Sequence, residues 1–220
     1  MKTYQGVIFD LDGLLFDTEK LYYQATQEIA DKIGLNYSEE IYHRYIGISD
    51  EELWAIYHEM YDPLIGEQAV NDFISTTFNL TIDLFEAGEA DLKEGVLELL
   101  DYLNEKEMPK MIASSNQRRL IDILLDKNKI THEFETVISF EDVKRAKPDP
   151  EIFEKAHQFL AMPKKELLIL EDSKNGVLAA HAAGIDVVMI PDLVAPSSEV
   201  KAKVVEIFPS LTAIPSFLNK

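Results

Sequence analysis

Apolar residues follow two rhythms along this chain. Short apolar-rich runs at 7–9, 110–114, 136–139, 167–170 and 187–190 read as strands buried on both faces. Over 19–33, 49–60, 68–85, 96–105, 118–126, 150–160, 175–183 and 199–207, apolar positions recur at the spacing of helices. Gly34 stops the first of these helices. Ser49-Asp50-Glu51-Glu52 opens the second with a capping box, and Asp62-Pro63 breaks it. From Asp17 to about Ala87 the pattern is all helix. From Leu92 onward helix and strand alternate, as in a parallel sheet flanked by helices. The expected protein is α/β: a core formed by residues 1–16 and 88–220, split after its first strand by an all-α insert over 17–87, with Glu86-Ala87-Gly88-Glu89 as the return linker. There is no internal repeat and no low-complexity segment.

Length and composition narrow the function classes. A chain of 220 residues, 46% hydrophobic, can bury a substantial core. The absence of cysteine excludes disulfides, a thiolate nucleophile and a Cys-zinc site. The net charge of −19 argues against nucleic acid or an anionic membrane surface as partner. No basic start with a long apolar core marks a signal peptide, and no run is long enough to span a bilayer. A soluble cytoplasmic protein is expected. It is expected to be a monomer, because no coiled-coil pattern or apolar stripe is left over.

Ligands of open parallel sheets bind beyond the carboxyl ends of the strands, so candidate chemistry is sought there. The first strand ends in Asp10-Leu11-Asp12-Gly13. Residues two apart in a strand point the same way, so the two carboxylates should emerge together. They read either as surface turn residues or as ligands of a hard divalent cation. The second strand delivers Ser114-Ser115-Asn116 ahead of a helix, either as N-caps or as a phosphate cradle of hydroxyl and backbone N–H groups. Lys147-Pro148-Asp149-Pro150 places a lysine in a stiffened loop, with Asp149 as N-cap and Pro150 at N1 of the next helix. The run at 167–170 delivers a second acidic pair, Glu171-Asp172, followed by Ser173 and Gly176. The five histidines lack paired metal-ligand spacing and read as structural or exposed.

This ordered set (apolar strand then Asp-x-Asp-Gly, apolar strand then Ser, Lys-Pro-Asp-Pro, apolar strand then Glu-Asp) resembles the haloacid dehalogenase superfamily, in its branch of small phosphatases and β-phosphoglucomutase. The resemblance covers essentially the whole chain. It implies a Rossmann-like core with helices on both faces of the sheet and an α-helical cap in the insert. It implies an enzyme, a Mg²⁺-dependent phosphatase acting on a small phosphorylated metabolite through an aspartyl-phosphate. By that resemblance Asp10 is the nucleophile, and Asp12 is the general acid and then the general base. Ser114, Ser115 and Asn116 hold the phosphoryl oxygens with Lys147, which also neutralises Asp10. Asp10, Asp12 (through its backbone carbonyl), Glu171 and Asp172 form the metal site, Glu171 directly or through water. Asp17 and Thr18 are the hinge of the insert.

Dehalogenases and phosphonatases of the superfamily lack an acid at the Asp12 position. The mutase carries a histidine after the hinge and an arginine after a Gly-x-Ser; this chain has Tyr22 and Asp50 at those places. Between Asp17 and Ala87 fifteen acids face three basic residues, a net of −12, which disfavours a bisphosphate. The same stretch holds seven of the nine tyrosines and Trp54. Most are expected in its core, with one or two free to line a pocket for a sugar ring. A sugar or polyol phosphate is the expected substrate. A phosphomutase and a non-catalytic phosphate-binding protein are the alternatives.

Overall fold

A computed structural model describes residues 3–46, 48 and 50–219. The chain divides into two compact units, one of Met1–Asp17 with Asp91–Lys220, the other of Thr18–Ala90.

The first unit is built on six parallel strands in the order β3-β2-β1-β4-β5-β6. These are β1 (Gly6–Phe9), β2 (Lys110–Ala113), β3 (Val137–Ile138), β4 (Leu167–Glu171), β5 (Asp186–Met189) and β6 (Glu206–Ile207). β1 lies between β2 and β4, with Val7 opposite both Lys110 and Leu168. Every residue of β1, β2 and β4 is buried, which is why these strands read as unbroken apolar runs rather than alternating ones. Ile8, Met111, Ile169 and Val187 share one core cluster with Ile152, Phe153 and Val177. The chain winds outward from β1 to β3 on one side, then returns and winds outward through β4 to β6 on the other. The carboxyl ends of β1 and β4 therefore form the switch point where such sheets open a ligand crevice.

The second unit holds α1 (Glu19–Ile33), α2 (Glu39–Arg44), α3 (Asp50–Ile65) and α4 (Glu67–Ala87). Its core is aromatic: Tyr37, Tyr57, Tyr61 and Phe73 pack with Ile29, Leu35 and Val70. Tyr37 and Tyr57 share a hydroxyl–hydroxyl hydrogen bond of 3.1 Å, and the Tyr61 hydroxyl donates to Asn36 O at 3.2 Å. Tyr22 packs edge-on against Phe85. Asp62-Pro63 does not end α3. Proline removes one N–H and leaves the preceding turns intact, Tyr61 and Ile65 remain packed in the core, and the helix stops at Gly66, whose φ is +87°. The predicted capping box falls on Ser49, which lies outside the described residues, as does Gly47.

The remaining helices are α5 (Val96–Glu105), α6 (Arg118–Lys127), α7 (Glu151–Leu160), α8 (Lys174–Ala183), α9 (Ser198–Lys201) and α10 (Ile214–Leu218). The largest departure from expectation is at 199–207. The helix there is only one turn long, and Glu206–Ile207 pairs beside β5, with Val205 N–H donating to Val187 O and Phe208 N–H to Met189 O. The exposed edge of β5 offers a ladder that helical periodicity in the sequence does not reveal. At α7, Pro150 occupies the N-cap, and Asp149 accepts the Glu151 N–H at 3.0 Å from one residue further out. Among the described residues no helix is long and apolar enough to cross a membrane.

Candidate active site

Asp10 is the first residue beyond β1, and its N–H donates to Leu170 O of β4 at 3.0 Å. That bond brings the end of β1 against the end of β4, where Glu171 is the last strand residue and Asp172 follows. Lys147, on the segment before α7, enters the same place with its side chain 5% exposed. Its ammonium donates to Asp10 Oδ1 at 2.5 Å, Glu171 Oε1 at 2.8 Å and Ala113 O at 3.0 Å. An ammonium has three hydrogens, and these acceptors use all of them. The Phe153 ring lies 4.9 Å from Nζ and walls the site from below.

Glu171 is fully buried and engaged at both oxygens. Oε1 takes Lys147, and Oε2 accepts the Ser173 N–H at 2.8 Å and the Ser173 hydroxyl at 2.9 Å. Ser173 also caps α8, accepting the Gly176 N–H at 3.1 Å. A Cβ at Gly176 would fall 1.6 Å from Glu171 Oε1, so glycine is what lets this carboxylate sit under the helix. Gly13, at φ +75°, does the same on the opposite side: a Cβ there would meet Asp172 Oδ2 at 2.6 Å.

Asp10, Glu171 and Asp172 each place one carboxylate oxygen within 4.8 Å of the others. Three carboxylates with one ammonium leave excess negative charge in a desolvated place. Burial pushes the Asp10 carboxyl up to about 7 against the pull of Lys147, with Glu171 and Asp12 pushing the same way. Burial and the charges of Glu171 and Asp10 push Asp172 well up also. At Lys147 burial opposes the charged form, but Asp10 and Glu171 outweigh it and hold the ammonium above the ordinary lysine range. A divalent cation would bring three carboxylates and one ammonium to neutrality, and an all-oxygen donor set suits a hard ion.

Asp12 stands at the edge of this cluster, with the Asn116 amide 3.1 Å from its Oδ2 and 3.3 Å from its Oδ1. Ser114 is buried, and its Oγ accepts the Asn116 N–H at 3.0 Å. Asn116 Oδ1 accepts the Gln117 N–H at 2.8 Å, and Glu141 accepts the Arg118 N–H at 2.8 Å, a bond that holds the Glu141 carboxyl below its ordinary pKa. The N–H groups of Asn116, Gln117 and Arg118 thus have partners within the protein. Ser115 is exposed, and neither it nor Asn116 caps the helix, whose N-cap is Gln117. The structure brings together Asp10, Lys147, Glu171 and Asp172, with Asp12, Ser114 and Asn116 at the rim. Sequence reading missed the parts of Ser173 and Gly176. Their signal was local: a serine and a glycine three apart at the start of the helix after the second acidic pair.

A family model described as haloacid dehalogenase-like hydrolase matches residues 7–190. A phosphorylated carbohydrates phosphatase of Thermotoga maritima is 31% identical over 83% of this chain and 82% of its own length. A (DL)-glycerol-3-phosphatase of Arabidopsis thaliana is 32% identical over 84% of this chain and 79% of its own. A haloacid dehalogenase family hydrolase of Deinococcus radiodurans, solved with bound phosphate and sodium, superposes with a TM-score of 0.82 at 23% identity, covering 99% of this chain and 96% of that one. The buried acidic cluster at the β1–β4 switch point and the match across most of the sheet agree: this chain belongs to the haloacid dehalogenase-like hydrolase family.

Proposed function

We propose that this chain is a Mg²⁺-dependent phosphatase of a small sugar or polyol phosphate, working through an aspartyl-phosphate on Asp10. The observation that carries this reading is the meeting of Asp10, Lys147, Glu171 and Asp172 at the carboxyl ends of β1 and β4. The Asp10 carboxylate attacks phosphorus and the bond to the leaving oxygen breaks. Asp12 gives its proton to that oxygen, then takes one from the water that hydrolyses the acyl phosphate. Asn116 holds the Asp12 carboxylate for both transfers. Lys147 offsets charge between Asp10 and the phosphoryl group, and Ser114 donates to a phosphoryl oxygen.

Asp10, Asp172 and the backbone carbonyl of Asp12 would hold the metal. Glu171, with both oxygens engaged, acts chiefly by fixing Lys147 and the start of α8. When bound, Mg²⁺ supplies positive charge to the phosphoryl oxygens. The names of the relatives support a sugar or polyol phosphate, and the net charge of −12 over 17–87 supports an uncharged leaving group. The test is phosphate release from phosphorylated sugars, polyols, nucleotides and an aryl phosphate, with Mg²⁺ and with chelator, beside Asp10→Asn. Mg²⁺-dependent release that falls at least ~10⁴-fold in Asp10→Asn supports the reading. Release that persists in that variant, or none from any compound, overturns it. A bisphosphate as the best substrate removes the uncharged-leaving-group inference.

A further inference from the structure

Among the described residues three buried side-chain atoms lack a hydrogen-bond partner, and only one belongs to a carboxylate: Asp192 Oδ2. Asp192 lies beyond β5 with its side chain 7% exposed. Its other oxygen, Oδ1, takes Lys93 Nζ at 2.6 Å. Lys93 is held from the other direction, its N–H donating to Leu15 O at 2.9 Å, next to the bridge between Phe16 and Leu92. The pair therefore clamps the carboxylate from outside and leaves Oδ2 facing inward. A Cβ built at Gly13 would lie 3.1 Å from Asp192 Oδ2 and 2.6 Å from Asp172 Oδ2, so both oxygens converge on one point beside the acidic cluster.

A desolvated carboxylate oxygen without a donor is costly. This one stands where a donor would arrive with a cation, as the water of its coordination shell. We propose that Asp192 is a positioning residue of the metal site, accepting a hydrogen bond from a metal-bound water through Oδ2 while Lys93 fixes Oδ1. No local signal in the sequence joins the two, which are 99 residues apart. The inference rests on the metal-dependent reading above. Outer-shell partners of this kind are worth about 10–100-fold in metal affinity.

Mn²⁺ binding to the whole protein, read by electron paramagnetic resonance of the free ion, tests this without turnover. Asp192→Asn keeps the shape, and Lys93, 27% exposed, can be solvated in it. It is expected to weaken Mn²⁺ binding about 10–100-fold with cooperative melting retained in chelator. The double variant Asp192→Asn with Lys93→Gln leaves no unpaired charge and is expected to stay equally weak. Lys93→Gln alone keeps the acid and is expected to bind within about twofold of the unmodified protein or more tightly. Wild-type affinity in either Asp192 variant overturns the proposal. So does a loss in Lys93→Gln alone as large as that in Asp192→Asn, since the pair would then act only by holding the chain. If Asp192→Asn does not fold, the double variant carries the same test. If the unmodified protein binds no Mn²⁺, the metal-dependent reading itself fails, which is a separate result.

Discussion

In the α/β unit the polar atoms buried at the switch point are charges: Asp10, Glu171 and Lys147, packed among strands with no exposed residue. In the helical unit they are hydroxyls: Tyr37 on Tyr57, Tyr61 on a backbone carbonyl, Thr26 and Thr81 on the carbonyls one turn before them. Apart from Thr18, Thr77 and one oxygen of Asp192, the buried side-chain polar groups described in both units have partners, at very different cost. A hydroxyl pair is neutral and closes on itself. Three carboxylates around one ammonium do not, and under the proposed function that imbalance prepares the place for a cation and a phosphoryl group. The helical unit uses burial for stability. Under the same proposal the α/β unit gives up stability there for chemistry.

Breaking the charged group should have the largest effect. Lys147→Met retains the packing on Phe153 but leaves Asp10 and Glu171 without their cation, and kcat/KM is expected to fall by about 10²–10³. A smaller fall would mean that the ammonium is not needed where charge develops. Gly176→Ala drives a methyl into Glu171, and since Glu171 fixes Lys147, a loss of roughly 10²-fold in kcat/KM with a lower melting temperature is expected. Activity close to the unmodified protein would show that Glu171 can relax without disturbing Lys147.

The same imbalance has a pH signature. In chelator the folded Asp10 carboxyl titrates near 7 and the unfolded one near its ordinary value, so the folded state binds more protons over about pH 4–7 and loses stability as pH rises through that window. Under the proposed function Mg²⁺ would compete with that proton. Its gain in melting temperature is expected to be small near about pH 5 and to grow until about pH 8, measured by paired melts with and without the ion. A gain that does not change with pH would count against a proton held by the acidic cluster. The smallest effect is expected in the helical unit, where Tyr37→Phe removes one hydroxyl of a neutral pair. It should cost about 1 kcal/mol in melts and leave turnover of an aryl phosphate unchanged. A kinetic loss there would end the contrast between the two units.

The sequence by itself determined five of the six described strands and most helices, because burial on both faces forces unbroken apolar runs and amphipathic helices repeat their spacing. It also marked Asp10, Asp12, Ser114, Lys147, Glu171 and Asp172, since each stands beside an apolar strand or a proline-stiffened helix start. It missed β6, whose pairing depends on the free edge of β5 rather than on residues 206–207 themselves. It left open whether Glu171 meets the metal directly or through water. Only the folded chain shows that both its oxygens are engaged, by Lys147 and Ser173. The Asp12 carboxylate as partner of the Asn116 side chain and the Lys93–Asp192 clamp were likewise decided by tertiary structure. Periodicity reports how a residue meets its sequence neighbours, whereas these contacts join segments brought together only when the sheet closes around β1 and β4.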